Sequence, residues 1–407
     1  MRLLSFFCFS LSLCAQDLTL EQAESLFLQK NYELLARQFE TEAAKGLVQQ
    51  EKIWDNPNFQ VEEALNPIYR SVQTNTNLQL SQLFVIAKRS KRVQIAQINA
   101  DISKLTFENT LRSLKLELRK TFYTLYFLNQ NKTFYTQSIA ALQKTVSAAE
   151  RVYAQRSILL SELMRLKALL LNLESENLEL NKQMNEAQAD FLVLLGEDPG
   201  TQTIPKPVLN IAQLARVSLD LSLDGITQIA LDNRPDLKIS QAEVKQEKLN
   251  ISLQRRQWIP DLTLQANYQQ DGNYVPHYFG LSVTFALPLF DRHQGLARSA
   301  RYNLMAKEKR EQQTRLTLIQ ELQVAYQRVI QSQDLFQRTD ANYLSNYQKL
   351  AEDMVQNYQS GNVGIIAFAD FYESYRDSMI KMSEVQLNRL TAFLELNYAI
   401  GTDQIKL

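Results

Sequence analysis

Glycine and proline are scarce, at 10 and 9 of 407 residues, where ordinary usage is about 7 % and 5 %. So few backbone interruptions exclude a chain of short elements joined by many loops and favour long helices. Only Cys8 and Cys14 occur, both within the first 14 residues, so a chain processed beyond them folds without disulfides. Neither sign of charge is in excess, since 44 Lys+Arg meet 44 Asp+Glu. That removes the electrostatic case for nucleic acid as a partner. The only histidines are His277 and His293, and with no later cysteine no cluster has metal-ligand spacing. No Ser/His/Asp arrangement, phosphate loop or nucleotide fingerprint stands out. Neither a catalytic residue, a metal site nor a cofactor is expected, and the chain does not read as an enzyme. What the sequence does hold is apolar: 45 % hydrophobic residues with 19 Phe and 17 Tyr, too rich for a disordered protein.

Residues 1–15 carry Arg2, an apolar run Leu3–Leu13 and then Cys14-Ala15 before the polar Gln16-Asp17. This reads as a secretory signal peptide, too short for a permanent membrane anchor. Two export routes stay open at this point: cleavage after Ala15, or lipidation of Cys14.

The chain is written twice. Leu18-Thr19-Leu20-Glu21 returns as Leu221-Ser222-Leu223-Asp224, Pro57 as Pro260, Tyr153 as Tyr358 and Gly196 as Gly401. The expected organisation is a first repeat at 16–201, a connection at 202–218 containing Pro205 and Pro207, and a second repeat at 219–407. Each repeat reads as helix, two strands, very long helix, helix. Strands are expected at about 58–82 and 261–287, from alternation such as Leu78 and Leu80 against Asn77 and Gln79, and Phe279, Leu281 and Val283 against Gly280, Ser282 and Thr284. Phe59–Leu65 is the weak strand, because Glu62 and Glu63 are adjacent. Asn66-Pro67 and Asp271-Gly272-Asn273 supply short turns.

Helices are expected at Leu20–Ile53, Lys91–Tyr153 and Ser161–Leu195, then near Arg292–Gln359 and Ile365–Ile400. The seam Leu111, Leu114, Leu118, Thr121, Leu125, Leu128, continuing to Tyr153, keeps a 3-4 spacing far beyond a few heptads. Lys91–Tyr153 would form a rod of roughly 95 Å at about 1.5 Å per residue. Hairpin tips fall at about 153–161 and 358–366.

Four amphipathic strands cannot close a membrane barrel alone, and an open edge in hydrocarbon leaves backbone groups unpaired. Two copies would give a barrel filled by its own side chains. Three copies give twelve strands and room for an aqueous lumen.

Asn233-Arg234-Pro235-Asp236-Leu237, Trp258-Ile259-Pro260-Asp261-Leu262 and Pro288-Leu289-Phe290-Asp291-Arg292-His293-Gln294-Gly295 carry a family resemblance. The whole mature chain resembles the TolC-like outer-membrane efflux channels, and the last run resembles their heavy-metal, CzcC-like branch. The resemblance implies a homotrimer with a 12-stranded β-barrel on a 12-helix coiled-coil periplasmic tunnel. It implies the outer membrane of a Gram-negative-type bacterium, contact with outer-membrane lipid, a periplasmic adaptor and a proton-driven inner-membrane pump. Asp370 and Glu373, three apart on one helix, would form the aperture gate. Ser157, Ile158 and Leu159 with Val363, Gly364 and Ile365 would be the adaptor-docking tips, their apolar side chains lacking an internal partner. Arg156 stands where the second tip has Gly361. Trp54 and Trp258 are candidate membrane-interface aromatics. The competing readings are a secreted or surface coiled-coil structural or adhesin protein, and a channel serving multidrug efflux or type I protein secretion.

Overall fold

The computed structural model describes residues 17–66, 73–198, 206–208, 222–271, 275–338 and 343–405. The segment expected to be a signal peptide, with Cys14, both strand-turn sequences beyond Asn66 and Asp271, and most of the connection at 202–218 lie outside the described residues. The elements are β1 (Asp17–Leu18), α1 (Leu20–Lys30), α2 (Tyr32–Glu51), β2 (Asn58–Asn66), β3 (Gln73–Phe84), α3 (Arg89–Ala154) and α4 (Leu160–Leu195). They continue with β4 (Lys206–Pro207), α5 (Leu223–Asn233), α6 (Pro235–Arg256), β5 (Leu262–Asp271), β6 (Pro276–Thr284), α7 (Gln294–Gln337), α8 (Tyr343–Gln359) and α9 (Ile365–Ile400). The chain divides into two compact units: residues up to Leu35 with Thr110–Asn233 and Leu318–Leu407, and Ala36–Asn109 with Arg234–Thr317.

In the second of these units, four strands form one antiparallel sheet in the order β2-β3-β5-β6. Register settles the faces. Phe59 pairs with Leu80 and Val61 with Leu78; Leu78 pairs with Tyr268, which pairs with Phe279; Leu80 pairs with Ala266, which pairs with Leu281. Glu62 pairs with Asn77, which pairs with Gln269; Ser81 pairs with Gln265, which pairs with Ser282. Alternation thus sorts aliphatic and aromatic side chains to one face, amides and hydroxyls to the other. The doubtful strand forms in full despite its adjacent glutamates. A small helical core of Val48, Ala96 and Ala100 packs in the same unit.

The other unit is helical apart from the parallel pair β1–β4, which joins Asp17-Leu18 to Lys206-Pro207. Thr19 opens α1 with a reciprocal capping box to Gln22. The single helix expected over Leu20–Ile53 is in fact two, because buried Asn31 leaves helical geometry. Its amide donates to the Leu194 carbonyl at 2.8 Å, and its side-chain oxygen accepts from the Leu34 N–H at 3.0 Å. The helix expected over Arg292–Gln359 is described as α7 and α8, with 339–342 between them outside the described residues. In α3 every seam position from Leu111 to Ala149 is buried or half-buried, and on α4 the same holds from Leu163 to Leu194. The α3 stripe is wider than the seam, since Phe122, Tyr123, Phe127 and Phe134 are buried too. This core continues through Leu166, Leu173, Phe368, Tyr372 and Tyr375.

Candidate functional site

Both hairpin ends are built the same way. At the end of α3 the Ser157 N–H reaches the Val152 carbonyl at 3.2 Å and the Arg156 N–H reaches Tyr153 at 2.8 Å. At the end of α8 the Asn362 N–H reaches Asn357 at 2.9 Å and the Gly361 N–H reaches Tyr358 at 3.0 Å. These are paired Schellman closures, which need a left-handed residue. Gly361 supplies it at φ 75° and Arg156 at φ 61°, so the arginine adopts the glycine's conformation rather than changing the turn.

The tips correct one expectation. Ile365 is buried, and Ile158 and Val363 pack against the helical core, so these apolar residues do have internal partners. Leu159 is the outward one, 67 % exposed, and Ile366 is the exposed neighbour of Ile365. Ser157 is exposed. Gly364 has ordinary φ −76° as the residue preceding α9, and a Cβ there would meet nothing within 4 Å. Its own fold does not demand glycine.

Asp370 and Glu373 are both exposed on α9. Asp370 accepts from Arg165 Nη2 at 3.0 Å, each the sixth residue of its helix. Glu373 makes no ion pair among the described residues. Further along α9, Arg376 contacts Glu176 at 3.3 Å and Asp377 at 2.8 Å, while the Tyr135 hydroxyl donates to Glu176 at 3.1 Å. Burial, with Glu176 beside it, raises the Tyr135 phenol far above its ordinary value and keeps it neutral. A cavity of about 400 Å³ lies here, lined by Leu128, Asn131, Tyr135, Glu176, Leu180 and Ser383. Arg165 and Arg376 were missed in the sequence; complementary charge on α4 and α9 was the available signal.

Trp54 stands at the foot of β2, edge-on to Phe84 at 5.9 Å and under the Arg89 guanidinium at 4.3 Å. Trp258, before β5, is 62 % exposed. His277 Nδ1 lies 2.7 Å from the Tyr268 hydroxyl, and no group of three potential metal ligands occurs among the described residues. No helix among the described residues is long and apolar enough to cross a membrane.

The sheet is the deciding feature. Phe59, Val61, Phe279, Leu281 and Val283 are all more than half exposed, one continuous apolar face against a polar one. The sequence model of the family described as "Outer membrane efflux protein" matches residues 226–402. That match spans the second half of the chain, from α5 to the end of α9. The cobalt-zinc-cadmium resistance protein CzcC of Cupriavidus metallidurans is 23 % identical over 287 residues, covering 70 % of this chain and 66 % of that protein, just under two thirds of its length. Among solved structures, the Campylobacter jejuni CmeC outer membrane channel superposes with a TM-score of 0.79 at 15 % identity, covering 94 % of this chain and 85 % of that one. CusC, a structure bearing on folding and transmembrane channel formation, gives a TM-score of 0.78 at 15 % identity, covering 97 % and 96 %. The chain thus has the fold of these outer-membrane channels, mainly α with a four-stranded β part.

Proposed function

We propose that three copies of this chain form the outer-membrane exit duct of a tripartite efflux system, with a periplasmic adaptor and an inner-membrane pump. The exposed apolar face of the β2-β3-β5-β6 sheet carries the reading. One chain offers four strands with open edges at β2 and β6; edges cannot stay open in lipid, and three copies make a closed twelve-stranded barrel with a polar lumen. The helices support it. Met164, Leu171 and Leu178 are exposed on α4 at seven-residue spacing, as are Tyr32 and Phe39 on α2. Such a second apolar stripe is what a neighbouring helix from another copy would cover.

Metal cations are the proposed cargo, on the likeness to the CzcC protein and the Pro288–Gly295 run. The tips Ser157–Leu159 and Val363–Ile365 are the proposed adaptor contact, with Leu159 as the apolar anchor and bare Gly364 permitting close approach. Asp370 and Glu373 are the proposed aperture residues. Arg165 modifies that role: three copies set three arginines against six acids, so Glu373 carries the unbalanced charge.

The test combines mass measurement of the detergent-purified protein with a deletion strain challenged by cobalt, zinc and cadmium. A trimer and lost metal tolerance are expected. Gly364→Glu should leave the trimer intact and abolish rescue. A stable monomer retaining its β signal would refute the duct, whereas unchanged metal tolerance with new drug sensitivity would replace the cargo only.

A further inference from the structure

At the feet of the strands, the junctions α2–β2, β3–α3 and α6–β5 are knitted together. Arg89 covers the Trp54 ring and donates through Nη2 to the Lys52 carbonyl. Lys88 pairs with Asp261 at 2.7 Å, and Arg256 donates to the Ala87 carbonyl at 3.0 Å. Around this frame the cations outnumber their partners. Lys52, Arg89, Arg92 and Arg255 make no ion pair among the described residues, and Arg89 Nε is buried without a hydrogen-bond acceptor. The same surface exposes Ile53, Ile86, Trp258 and Ile259, each 48–62 % accessible.

Two cavities flank the Trp54–Arg89 pair. One, about 540 Å³, includes Glu51 and Asp55 along with Arg89 and Arg92, so its charge is balanced. The other, about 430 Å³, is lined by Lys52, Trp54, Ile86, Arg89, Ser90 and Val93 with no carboxylate. Two cations, a hydroxyl and an indole beside aliphatic side chains match a phosphate diester joined to acyl chains. A neutral headgroup would leave the cations uncompensated.

We propose that this second cavity is a headgroup site for anionic phospholipid, which fixes the sheet at the membrane surface on its helical side. The proposal rests on the reading of the sheet as membrane-embedded. Basic side chains at such a surface recruit anionic lipid locally, and indoles favour the same depth. Trp54 of this cavity packs against Phe84, which lies on the same side of β3 as Leu78 and Leu80, so the cavity adjoins the apolar face of the sheet.

The protein's two tryptophans are Trp54 and Trp258, which makes the test direct. Trp258→Phe leaves Trp54 as sole reporter. The reconstituted protein is then placed in phosphatidylcholine vesicles carrying equal mole fractions of either brominated phosphatidylglycerol or brominated phosphatidylcholine. Brominated phosphatidylglycerol should quench Trp54 roughly fivefold more efficiently, the enrichment expected for about one basic side chain acting at an anionic surface. Arg89→Gln should bring the ratio toward one, and so should the exposed, fold-neutral Lys52→Gln. Equal quenching by the two lipids, or a ratio unmoved by Lys52→Gln, overturns the headgroup site and leaves the membrane sheet standing. No quenching by either lipid would mean that the junction is covered by another copy and overturns its membrane placement. Inorganic phosphate should not change the ratio; if it abolishes the preference, the cavity is a small-anion site and the lipid assignment fails.

Discussion

Leu281→Arg tests the membrane face of the sheet against its lumen face. Leu281 lies near the middle of β6, pairs with Ala266 and is 78 % exposed in the single chain. In water an arginine there should matter little, within about 0.5 kcal/mol, because no packed group is lost. In a bilayer an arginine on the outer face near the midplane costs about 2–4 kcal/mol, or about 30- to 1,000-fold in the folding equilibrium per chain. Three copies in one barrel would raise the cost to about 6–12 kcal/mol if additive, comparable with the whole stability of an ordinary domain. Ser282→Arg is the matched control, one residue away on the face of Gln265 and Asn267, where a water-filled lumen can solvate it. The assay is urea-dependent refolding into phosphatidylcholine vesicles, read by gel mobility and tryptophan emission. The Leu281→Arg midpoint should collapse while Ser282→Arg stays near the parent. Equal effects, or the reverse order, would refute the assignment of faces and with it the barrel.

Leu171→Glu with Leu178→Glu should shift the proposed trimer toward monomer without changing helix content, by mass photometry and circular dichroism; an unaltered trimer would move the neighbour contact off this stripe of α4. Gly196 ends α4 at φ 67°, and a Cβ there would collide with the Lys30 carbonyl, so Gly196→Ala should cost about 1–3 kcal/mol in denaturant titration. Burial pushes the Glu395 carboxyl up, but hydrogen bonds from Lys120 at 2.6 Å and Arg328 at 2.8 Å outweigh it and hold the pKa below the ordinary value. A lowered folded pKa means stability that is full above about pH 4.3 and lost as pH falls through the folded value; Glu395→Gln should flatten the acid limb of the stability profile. In planar bilayers, Asp370→Ala with Glu373→Ala should lower cation selectivity and Arg165→Ala should raise it; unchanged selectivity in both would place the constriction elsewhere.

The strands were legible in the sequence because their two faces differ in chemistry and the strand period is two; alternation separates Leu78 from Gln79 and Tyr268 from Asn267, whereas the pairing of Leu78 with Tyr268 and of Gln79 with Asn267 comes from the fold. The seams of α3 and α4 were legible for the same kind of reason. Asn31 was not. Its N-cap bond to the Leu34 N–H is local, but an asparagine alone is a weak signal, and the bond that fixes it, to the Leu194 carbonyl, comes from 163 residues away. The tips failed similarly: Ile158, Val363 and Ile365 were read as outward because they sit at a chain reversal, yet Phe368 and its neighbours extend the core close enough to cover them.

Exposure is the part of the candidate site that sequence renders least well. Leu171 and Leu173 are two residues apart on α4 and identical in chemistry, yet one is 65 % exposed and the other fully buried. Period fixes that they point apart; it cannot say which one the chain's own helices cover. The fold decides that Leu173 belongs to this chain's core and leaves Leu171, with Met164 and Leu178, for something outside it. The same division holds in the sheet, where no element of the described chain covers Leu281. Two uncovered apolar surfaces of different geometry, a heptad stripe and a pleated face, call for two different partners. A helix fits the first and hydrocarbon the second, and a closed ring of copies in a membrane supplies both at once.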